Sequence, residues 1–478
     1  MADKKTLKKA IVLGVVVSLT AIAGIFAPAH RVGAQEPGIA SGVEPEILVG
    51  LTRCSSLSLG VSGDYKVSMP DSHDFQASGQ DKVVLEAREG KIVLSASSTA
   101  GTAWNAQTLG PVLIAPSSET DAFFSILAHT NSDANLTGRS YRGSAVVIQE
   151  GGSLFVANLL DIEKYLWSVV SCEIPSGWPV EALKAQAVAS RTYALYKACP
   201  PNGSTPVSNR ALLQTRSLAS GDIKIWATDQ IYRGKAYEDP RAIESCILTK
   251  GQILTYQKLP VGAYFHADAA GMTEDSRFVW GGAIPYLTGV EEVPHSSPYS
   301  QWEISFDADT VTHKMAQAGL AGPVDMITGL EPGVSGRWFG VNLSSANGDL
   351  RVKGNEFRLI MDLRSLWFSV FRHGGNQETR GCLNPGLPVS VDNGSSIQSV
   401  DLGGCTIVGD GAGAIASNGA FVVSPGHDGP LTFLFHGRGW GHGVGMSQWG
   451  ARAMAGQGAD FSQILMYYYP ATNIELWW

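Results

Sequence analysis

The chain runs to 478 residues with a formal charge of −8, and it is 44% hydrophobic and 16% charged, with 55 Gly and 23 Pro. That length suits about three domain-sized units and a sizeable core, and no low-complexity tract marks it as disordered or fibrous. The acidic balance speaks against nucleic acid as a partner, since neutralising phosphates needs a basic face.

The first residues, MADKKTLKKAIVLGVVVSLTAIAGIFAPAHRVGA, place Lys4, Lys5, Lys8 and Lys9 ahead of an apolar run from Ala10 to Ala27 and end on the small residues Gly33 and Ala34. This order predicts a secretory signal over residues 1–34, cut after Ala34. The run approaches the roughly 18 residues that span a bilayer, so the alternative is an uncleaved N-terminal anchor, the only hold on a membrane that the sequence suggests. Either route exports the rest of the chain, to the periplasm or cell wall. Removing residues 1–34, with four lysines, Arg31 and Asp3, moves the formal charge from −8 to about −12. In an oxidising compartment the cysteines Cys54, Cys172, Cys199, Cys246, Cys382 and Cys405 favour disulfides, and Cys382 and Cys405 flank a Pro/Gly/Asn/Ser-rich segment that a bridge would staple. Cys172, directly before Glu173, suggests a nucleophile, although a bridged or buried thiol is the expected state in an exported chain.

From Glu46 to Asn158, short runs such as ILVGL, YKVSM, KVVLEA, KIVLSA and FSILAH, bounded by Gly, Ser and Asp, predict strands, and SAVVIQEGGSLFVAN predicts a hairpin turning at EGG. The pattern then becomes helical. Asp161–Val170 sets Ile162, Tyr165, Leu166 and Val169 at helical spacing behind a capping aspartate. After a short loop holding Glu173, a second helix opens with Pro179 as its first residue and Glu181 in its first turn, runs to about Lys197 and is stopped by Pro200. Residues 200–305 mix a polar loop with strands at QILTYQ and VGAYFHA, and 306–430 reads as a variable region holding the amphipathic run EFRLIMDLRSLWFSVF. The end is Gly-rich and then helical, with Asp460 capping DFSQILMYYYP. Strands before and between a few helices, without a βαβ rhythm, predict an α+β fold: a β-rich segment over 35–140, then a mixed domain with a groove over 141–478.

Two stretches carry the chemistry. In SCEIPSGWPVEALKAQAVASRTYALY, a wheel puts Val180, Lys184, Ala187, Val188, Arg191 and Leu195 on one face of the second helix, so Arg191 points toward packing. A guanidinium there needs an acceptor, because an unpaired buried charge is costly. It reads either as a structural salt bridge or as a partner of Glu173, or both converge on a ligand. Held in a cleft beside Ile174, Pro175 and Trp178, Glu173 is expected to keep its proton near neutrality and to serve as a general acid toward a glycosidic oxygen. No second carboxylate stands out near it.

The second stretch is HGRGWGHGVGMSQWGA, His436 to Ala451, with Gly437, Gly439, Gly441, Gly443 and Gly445 in alternation. If extended, it bares one backbone face and carries Arg438, Trp440, His442 and Val444 on the other, which suits a sugar chain as well as tight strand packing around a core His442. Rival motifs fail: Gly445-Met446-Ser447-Gln448-Trp449 is no G-x-S-x-G elbow, and neither Gly437 nor Gly439 opens a G-x-G-x-x-G turn. His266, Asp268, His436 and His442 lack a recognised metal-ligand spacing, so no metal or other cofactor is expected.

These stretches, with FHADAAGMTEDSRFVWGGAIPYLTGV between them, resemble the stage II sporulation protein D and LytB amidase-enhancer (SpoIID/LytB) family from about Gly143 to Trp478. The order of E-x-P-x-x-W-P-x-E-A-L-K-A-Q-A-V-A-x-R-T-Y-A and G-H-G-V-G-M-S-Q-x-G-A makes the match specific. The resemblance implies peptidoglycan as substrate and a lytic transglycosylase that cuts between N-acetylmuramic acid and N-acetylglucosamine in strands lacking stem peptides. Glu173 falls on the family's catalytic acid and Arg191 on an arginine implicated in activity. A lone carboxylate fits that reaction: a hydrolase needs a second one, whereas here the sugar's 6-hydroxyl attacks. The resemblance also offers Gln186, Tyr193, His266, Thr273, His442 and Gln448 as residues lining a glycan cleft. Its other implied role is a non-catalytic enhancer that holds peptidoglycan and stimulates a separate cell-wall amidase.

Overall fold

A computed structural model describes residues 44–70, 74–79, 81–97, 104–117, 122–131, 135–198, 219–374 and 429–478, with the backbone of five short strands between 380 and 414. The signal or anchor expected at 1–34 and the Cys382–Cys405 staple lie outside the described side chains. The fold is α+β. Two compact units divide it, one running to Ala263 and including Thr472–Trp478, the other spanning Tyr264–Ala471. The boundary expected near residue 140 falls inside the first unit, where the earliest strand pairs with one beyond residue 150.

That first unit begins with strands β1 (Glu46–Cys54), β2 (Ser56–Ser62), β3 (Tyr65–Ser68), β4 (Phe75–Ala77), β5 (Lys82–Arg88), β6 (Lys91–Ser97), β7 (Trp104–Thr108), β8 (Val112–Pro116), β9 (Phe123–His129), β10 (Ser140–Arg142), β11 (Ser144–Glu150) and β12 (Ser153–Asp161). Later come β13 (Ile225–Trp226), β14 (Gln252–Tyr256) and β15 (Leu259–Pro260). One sheet runs β13-β1-β12-β11-β8-β3-β4 and another β10-β9-β2-β5-β6-β7. Period-2 alternation sets the second sheet's buried face, with Val83 and Leu85 on β5 and Ile92, Leu94 and Ala96 on β6 turned inward. The β11–β12 hairpin pairs Glu150 with Ser153 across Gly151 and Gly152. Their φ values of 58° and 80° are those of a type I′ turn, which only glycine adopts freely.

Helix α1 (Ile162–Glu173) follows β12 directly. Asp161 stands at its N-cap but makes no capping bond, pairing instead with Lys164 at 2.6 Å. The helix runs three residues beyond the expected Val170, which puts Glu173 on its last residue and not in a loop. Ile174 ends it in an extended conformation, φ −134° and ψ 148°, as expected of a residue that precedes proline. Helix α2 (Val180–Ala198) starts one residue after Pro179, whose carbonyl accepts from the amides of Ala182 and Leu183. It does not present one apolar stripe. Ala182, Leu183, Ala185, Gln186, Ala187, Val188, Ala189, Ser190, Arg191 and Thr192 are all buried, so the helix is enclosed almost all round, and its alanines let α1, α3 (Pro240–Leu248) and β14 approach closely.

Arg191 is fully buried inside this group and its partner is Glu163, not Glu173. Nε and Nη2 donate to the two Glu163 oxygens at 2.9 and 2.7 Å, Nη1 donates to the Gln252 carbonyl at 3.1 Å and Nη2 to the Cys246 carbonyl at 3.2 Å. The amide of Gly251 completes the Glu163 shell at 3.1 Å. One side chain thus joins α1, α2, the C-terminal end of α3 and the start of β14.

The second unit contains β16 (Phe265–His266), α4 (Arg277–Trp280), β17 (Trp302–Asp307), α5 (Ala308–Ala316), β18 (Val324–Pro332), β19 (Trp338–Ser345), β20 (Gly348–Lys353), α6 (Gly354–Met361) and β21 (Phe368–His373). After β22 (Arg380–Cys382), β23 (Val389–Asp392), β24 (Ile397–Val400), β25 (Val408–Gly409) and β26 (Gly413–Ala414) come β27 (Thr432–Gly437), β28 (Met446–Ser447), α7 (Gln448–Gly456) and α8 (Phe461–Tyr468). Its core packs Trp338, Phe357, Phe368, Phe433 and Phe435 between the sheets β17-β27-β21-β22 and β18-β19-β20, so much of the expected variable region is load-carrying core. Asp460 caps α8 through the Gln463 amide, as its sequence predicts. The chain closes in the first unit with β29 (Asn473–Leu476), antiparallel to β14. Among the described residues no helix is long and apolar enough to cross a membrane.

Truncating Arg191 strands a buried carboxylate, so Arg191→Met is expected to lower stability by about 3–5 kcal/mol in urea unfolding. Lys164→Met, which breaks a half-exposed pair, is expected to cost under about 1 kcal/mol.

Candidate functional site around Glu173

Glu173 is half-buried at the C-terminal end of α1, the negative end of the helix dipole, and its Oε1 accepts from the Ile231 amide at 2.7 Å. The loop that supplies this amide, residues 227–234, is pinned from below. Gln230 donates to the Tyr165 hydroxyl and the Ser190 carbonyl, both at 3.3 Å. Tyr232 donates to Asn158 at 2.7 Å, and the Arg233 amide donates to Ser168 Oγ on α1 at 3.3 Å. On the other flank, Ile174 and Trp178 are buried, Pro175 is exposed, and Arg241 of α3 donates to the carbonyls of Ser176 and Trp178. Asp239 caps α3 through the Arg241 amide, and its own amide donates to Ser171 Oγ at 3.0 Å. Glu173 therefore stands between two clamped loops.

Burial first, and then the charges of Asp229 and Glu173, push the Tyr165 hydroxyl well above its ordinary range. Tyr193, the expected cleft residue on α2, is partly exposed at its surface, and burial first, then Asp229 and neighbouring groups including Glu173, raise its hydroxyl in the same direction. Asp229 is thus a second carboxylate in the neighbourhood that the sequence did not reveal. Its Oδ2 accepts from the Trp226 amide at 2.8 Å and its Oδ1 faces Lys197 at 3.5 Å, so it holds the turn that delivers Ile231. The visible signal was a turn-forming Asp in ATDQ, which says nothing about tertiary proximity. Gln186 is fully buried and donates to Ser190 Oγ at 3.0 Å, inside the framework.

The cysteines next to this framework are not bridged: Cys54, Cys172 and Cys246 are free. Burial pushes the Cys54 and Cys246 thiols up to about 11 and about 12 and raises that of Cys172, so none is a ready thiolate and the Cys172 nucleophile is not supported.

The other expected residues lie in the second unit. The glycine-rich ribbon is not an extended strand. Gly441 and Gly443 take φ of 116° and 85°, and a Cβ there would lie 2.6 Å from His266 Cβ and 2.6 Å from Arg337 Nε. The glycines serve chain path and close approach together, not a bare face. His266 donates through Nδ1 to the Val444 carbonyl at 3.2 Å, and His442 Nδ1 accepts from the Val444 amide at 3.0 Å. The two rings lie 5.5 Å apart, with Trp280 5.3 Å from His442. Burial and the nearby arginines push His442 down to about 3, and burial, His442 and Arg337 push His266 well below its usual value, so both are neutral. Thr273 is fully buried and exchanges bonds with the Val290 backbone. Gln448 is buried as the first residue of α7.

Asp268 does not gather with His266, His436 and His442. Its neighbours are Glu292 and His295, with donor atoms within 4.8 Å of one another. Burial opposes charging of His295, but its bonds to Asp268 and the Val293 carbonyl and the charge of Glu292 outweigh it and raise the imidazole to about 9. Burial likewise opposes ionisation of Asp268, and bonds from His295, Ser297 and the Ala270 amide reverse it. An imidazolium already meets the negative charge that a cation would meet.

The site is thus a half-buried carboxyl held at a helix end between two clamped loops of an α+β fold. The stage II sporulation protein family profile, SpoIID, matches residues 150–256, which contain α1, α2 and their buried pair. The chain is 28% identical over 324 residues to stage II sporulation protein D of Bacillus amyloliquefaciens, covering 66% of this chain and 74% of that one. It is 28% identical over 319 residues to the amidase enhancer of Bacillus subtilis, covering 65% of this chain and 40% of that protein. An uncharacterized protein of Brachyspira hyodysenteriae is 26% identical over 350 residues, 73% of this chain and 76% of its own. The chain is thus similar to SpoIID and amidase-enhancer proteins over about two thirds of its length, and the SpoIID match falls on the segment that carries Glu173.

The histidines predict a two-sided pH profile for thermal unfolding. The raised His295 value means its contribution is whole below its unfolded pKa of about 6.5 and is lost as pH rises through about 9. The depressed His442 value means its contribution is whole above about 6.5 and is lost as pH falls toward about 3. His295→Gln is expected to flatten the alkaline limb of Tm against pH and leave the acid limb in place.

Proposed function

We propose that this protein is exported and cleaves peptidoglycan glycan strands between N-acetylmuramic acid and N-acetylglucosamine as a lytic transglycosylase. The observation that carries the reading is the fixing of Glu173 at the end of α1 by the Ile231 amide at 2.7 Å, between two clamped loops. With Oε1 held as an acceptor, a proton on the carboxyl resides on Oε2. Glu173 gives that proton to the glycosidic oxygen as the muramyl C1–O bond breaks. The muramyl 6-hydroxyl oxygen then bonds to C1 and its proton returns to the Glu173 carboxylate. No water is consumed, and the products are a 1,6-anhydromuramyl end and a free 4-hydroxyl.

Arg191 acts in this scheme through position: a fully buried guanidinium committed to Glu163 and two carbonyls supports α1 and so the placement of Glu173. Asp229, engaged with Lys197 and the Trp226 amide, holds the loop in the same way. Tyr193 is the lining residue on α2; within the second unit taken by itself, His442 is a candidate sugar contact, its ring 5.5 Å from that of the buried His266, while Thr273 and Gln448 are buried framework.

A second reading is favoured by the likeness to an amidase enhancer: a peptidoglycan-holding partner of a cell-wall amidase that cuts no glycan itself. Digestion of glycan strands freed of stem peptides separates the two. Wild-type protein is expected to release 1,6-anhydro ends, and Glu173→Gln to lower that rate by about a hundredfold or more with Tm unchanged. Reducing ends in place of anhydro ends would assign a hydrolase. Amidase stimulation that survives Glu173→Gln, with no glycan product from either protein, would assign the enhancer.

A further inference from the structure

The loop that fixes Glu173 also presents a cation, Arg233, that has no carboxylate partner among the described residues. Ile231 and Arg233 are exposed and Tyr232 between them is buried, so two outward side chains flank one that is turned inward. The Ile231 amide is bonded to Glu173 and the Arg233 amide to Ser168, little more than one turn earlier on α1. The Arg233 guanidinium lies 5.4 Å over the ring of Tyr237, itself 44% exposed, which steadies it and leaves its planar fork of N–H groups open. Its charge is felt at Cys172, the residue before Glu173.

The cations around it are spoken for. Arg142 pairs with Glu238, Lys197 with Asp229, Lys184 with Glu181, Lys164 with Asp161, and Arg241 is spent on backbone carbonyls. Among the described residues Arg233 has no carboxylate partner, in a chain whose formal charge is −8. An open guanidinium fork matches a carboxylate geometrically, and the exposed faces of Ile231 and Tyr237 beside it match the apolar face of a sugar ring.

A glycan strand offers such an anion in one state only. The lactyl group of N-acetylmuramic acid carries a free carboxylate once its stem peptide is gone and an uncharged amide while the peptide is attached. We infer that Arg233 is the specificity-determining residue of the Glu173 site, binding the muramyl lactyl carboxylate and so selecting strands without stem peptides. This rests on the glycan-cleaving reading for its substrate but is tested by binding, independently of cleavage.

The probe is a set of N-acetylglucosamine–N-acetylmuramic acid oligomers with free lactyl carboxyls, and the same oligomers with those carboxyls converted to carboxamides. Equilibrium binding is measured on full-length protein carrying Glu173→Gln, so that ligand is not consumed. The free acid is expected to bind about tenfold tighter than the amide, and the margin to shrink at high salt. Adding Arg233→Gln is expected to abolish the margin while leaving affinity for the amide unchanged, and Arg233→Lys to keep part of it. A margin that persists in Arg233→Gln, no margin in the parent, or no binding of either oligomer by folded protein would overturn the assignment. If Arg233 discriminates but protein with Glu173 intact releases no anhydro ends, cleavage fails as a function and the carboxylate site stands.

Discussion

A single buried ion pair, Arg191 with Glu163, fixes the geometry on which the proposed site rests. Its members lie 28 residues apart in sequence and join two helices, with the guanidinium fully buried and the carboxylate nearly so. Burial of such a pair gives little net stability by itself, since desolvation offsets the attraction. Its consequence is specificity of arrangement: any shift of α1 against α2 leaves one of the charges unmatched. The carbonyls of Cys246 and Gln252 and the amide of Gly251 extend the same constraint to the end of α3 and the start of β14. With the base of α1 held this way, the position of its last residue, Glu173, follows from helix geometry and from Pro175, which keeps Ile174 out of the helix.

The outer part of the site is built differently. The loop at 227–234 is distant in sequence and is held from beneath by the buried Gln230 and Tyr232, whereas the loop that follows Glu173 directly is held by the exposed Arg241 across it. This leaves the rim half-open above a dry support at Gln230 and Tyr232. Such a division suits a site that must admit a polymer yet keep one carboxyl in place. In the second unit the ribbon from His436 to Ser447 shows the same economy, with buried neutral imidazoles and arginines packed against backbone that only glycine can provide.

Much of the fold was legible because period-2 runs and turn glycines are local signals. Strands β1, β3, β5, β6 and β9, the β11–β12 hairpin with its Gly151-Gly152 turn and the Asp460 cap read directly. Glu173 was legible as a candidate because Pro, Trp and a following helix restrict its surroundings, although its place on the helix end was not. The wheel gave Arg191 a buried position and a need for a carboxylate, but Glu163 in DIEK reads as an ordinary first-turn acid, and only packing of α1 on α2 identifies it as the partner. Asp229 and Arg233 escaped for the same reason: a polar loop carries no sequence sign of the helix it will rest on. The alternating glycines were read as an extended strand because spacing does not distinguish a bare face from repeated positive φ. For the six proposed lining residues, spacing could not separate side chains that reach the surface from those, such as Gln186 and Thr273, that hold the framework.

The central claim is that Arg191 acts by fixing the fold while Glu173 does the proton transfer. Replacing both members of the buried pair by apolar side chains of similar volume, Glu163→Leu with Arg191→Met, removes the charges without stranding either one. Near-normal cooperative unfolding together with 1,6-anhydro release within about tenfold of wild type is the expected result. A double variant that is as stable as wild type yet releases no product would contradict it, because the guanidinium would then be needed for the reaction itself.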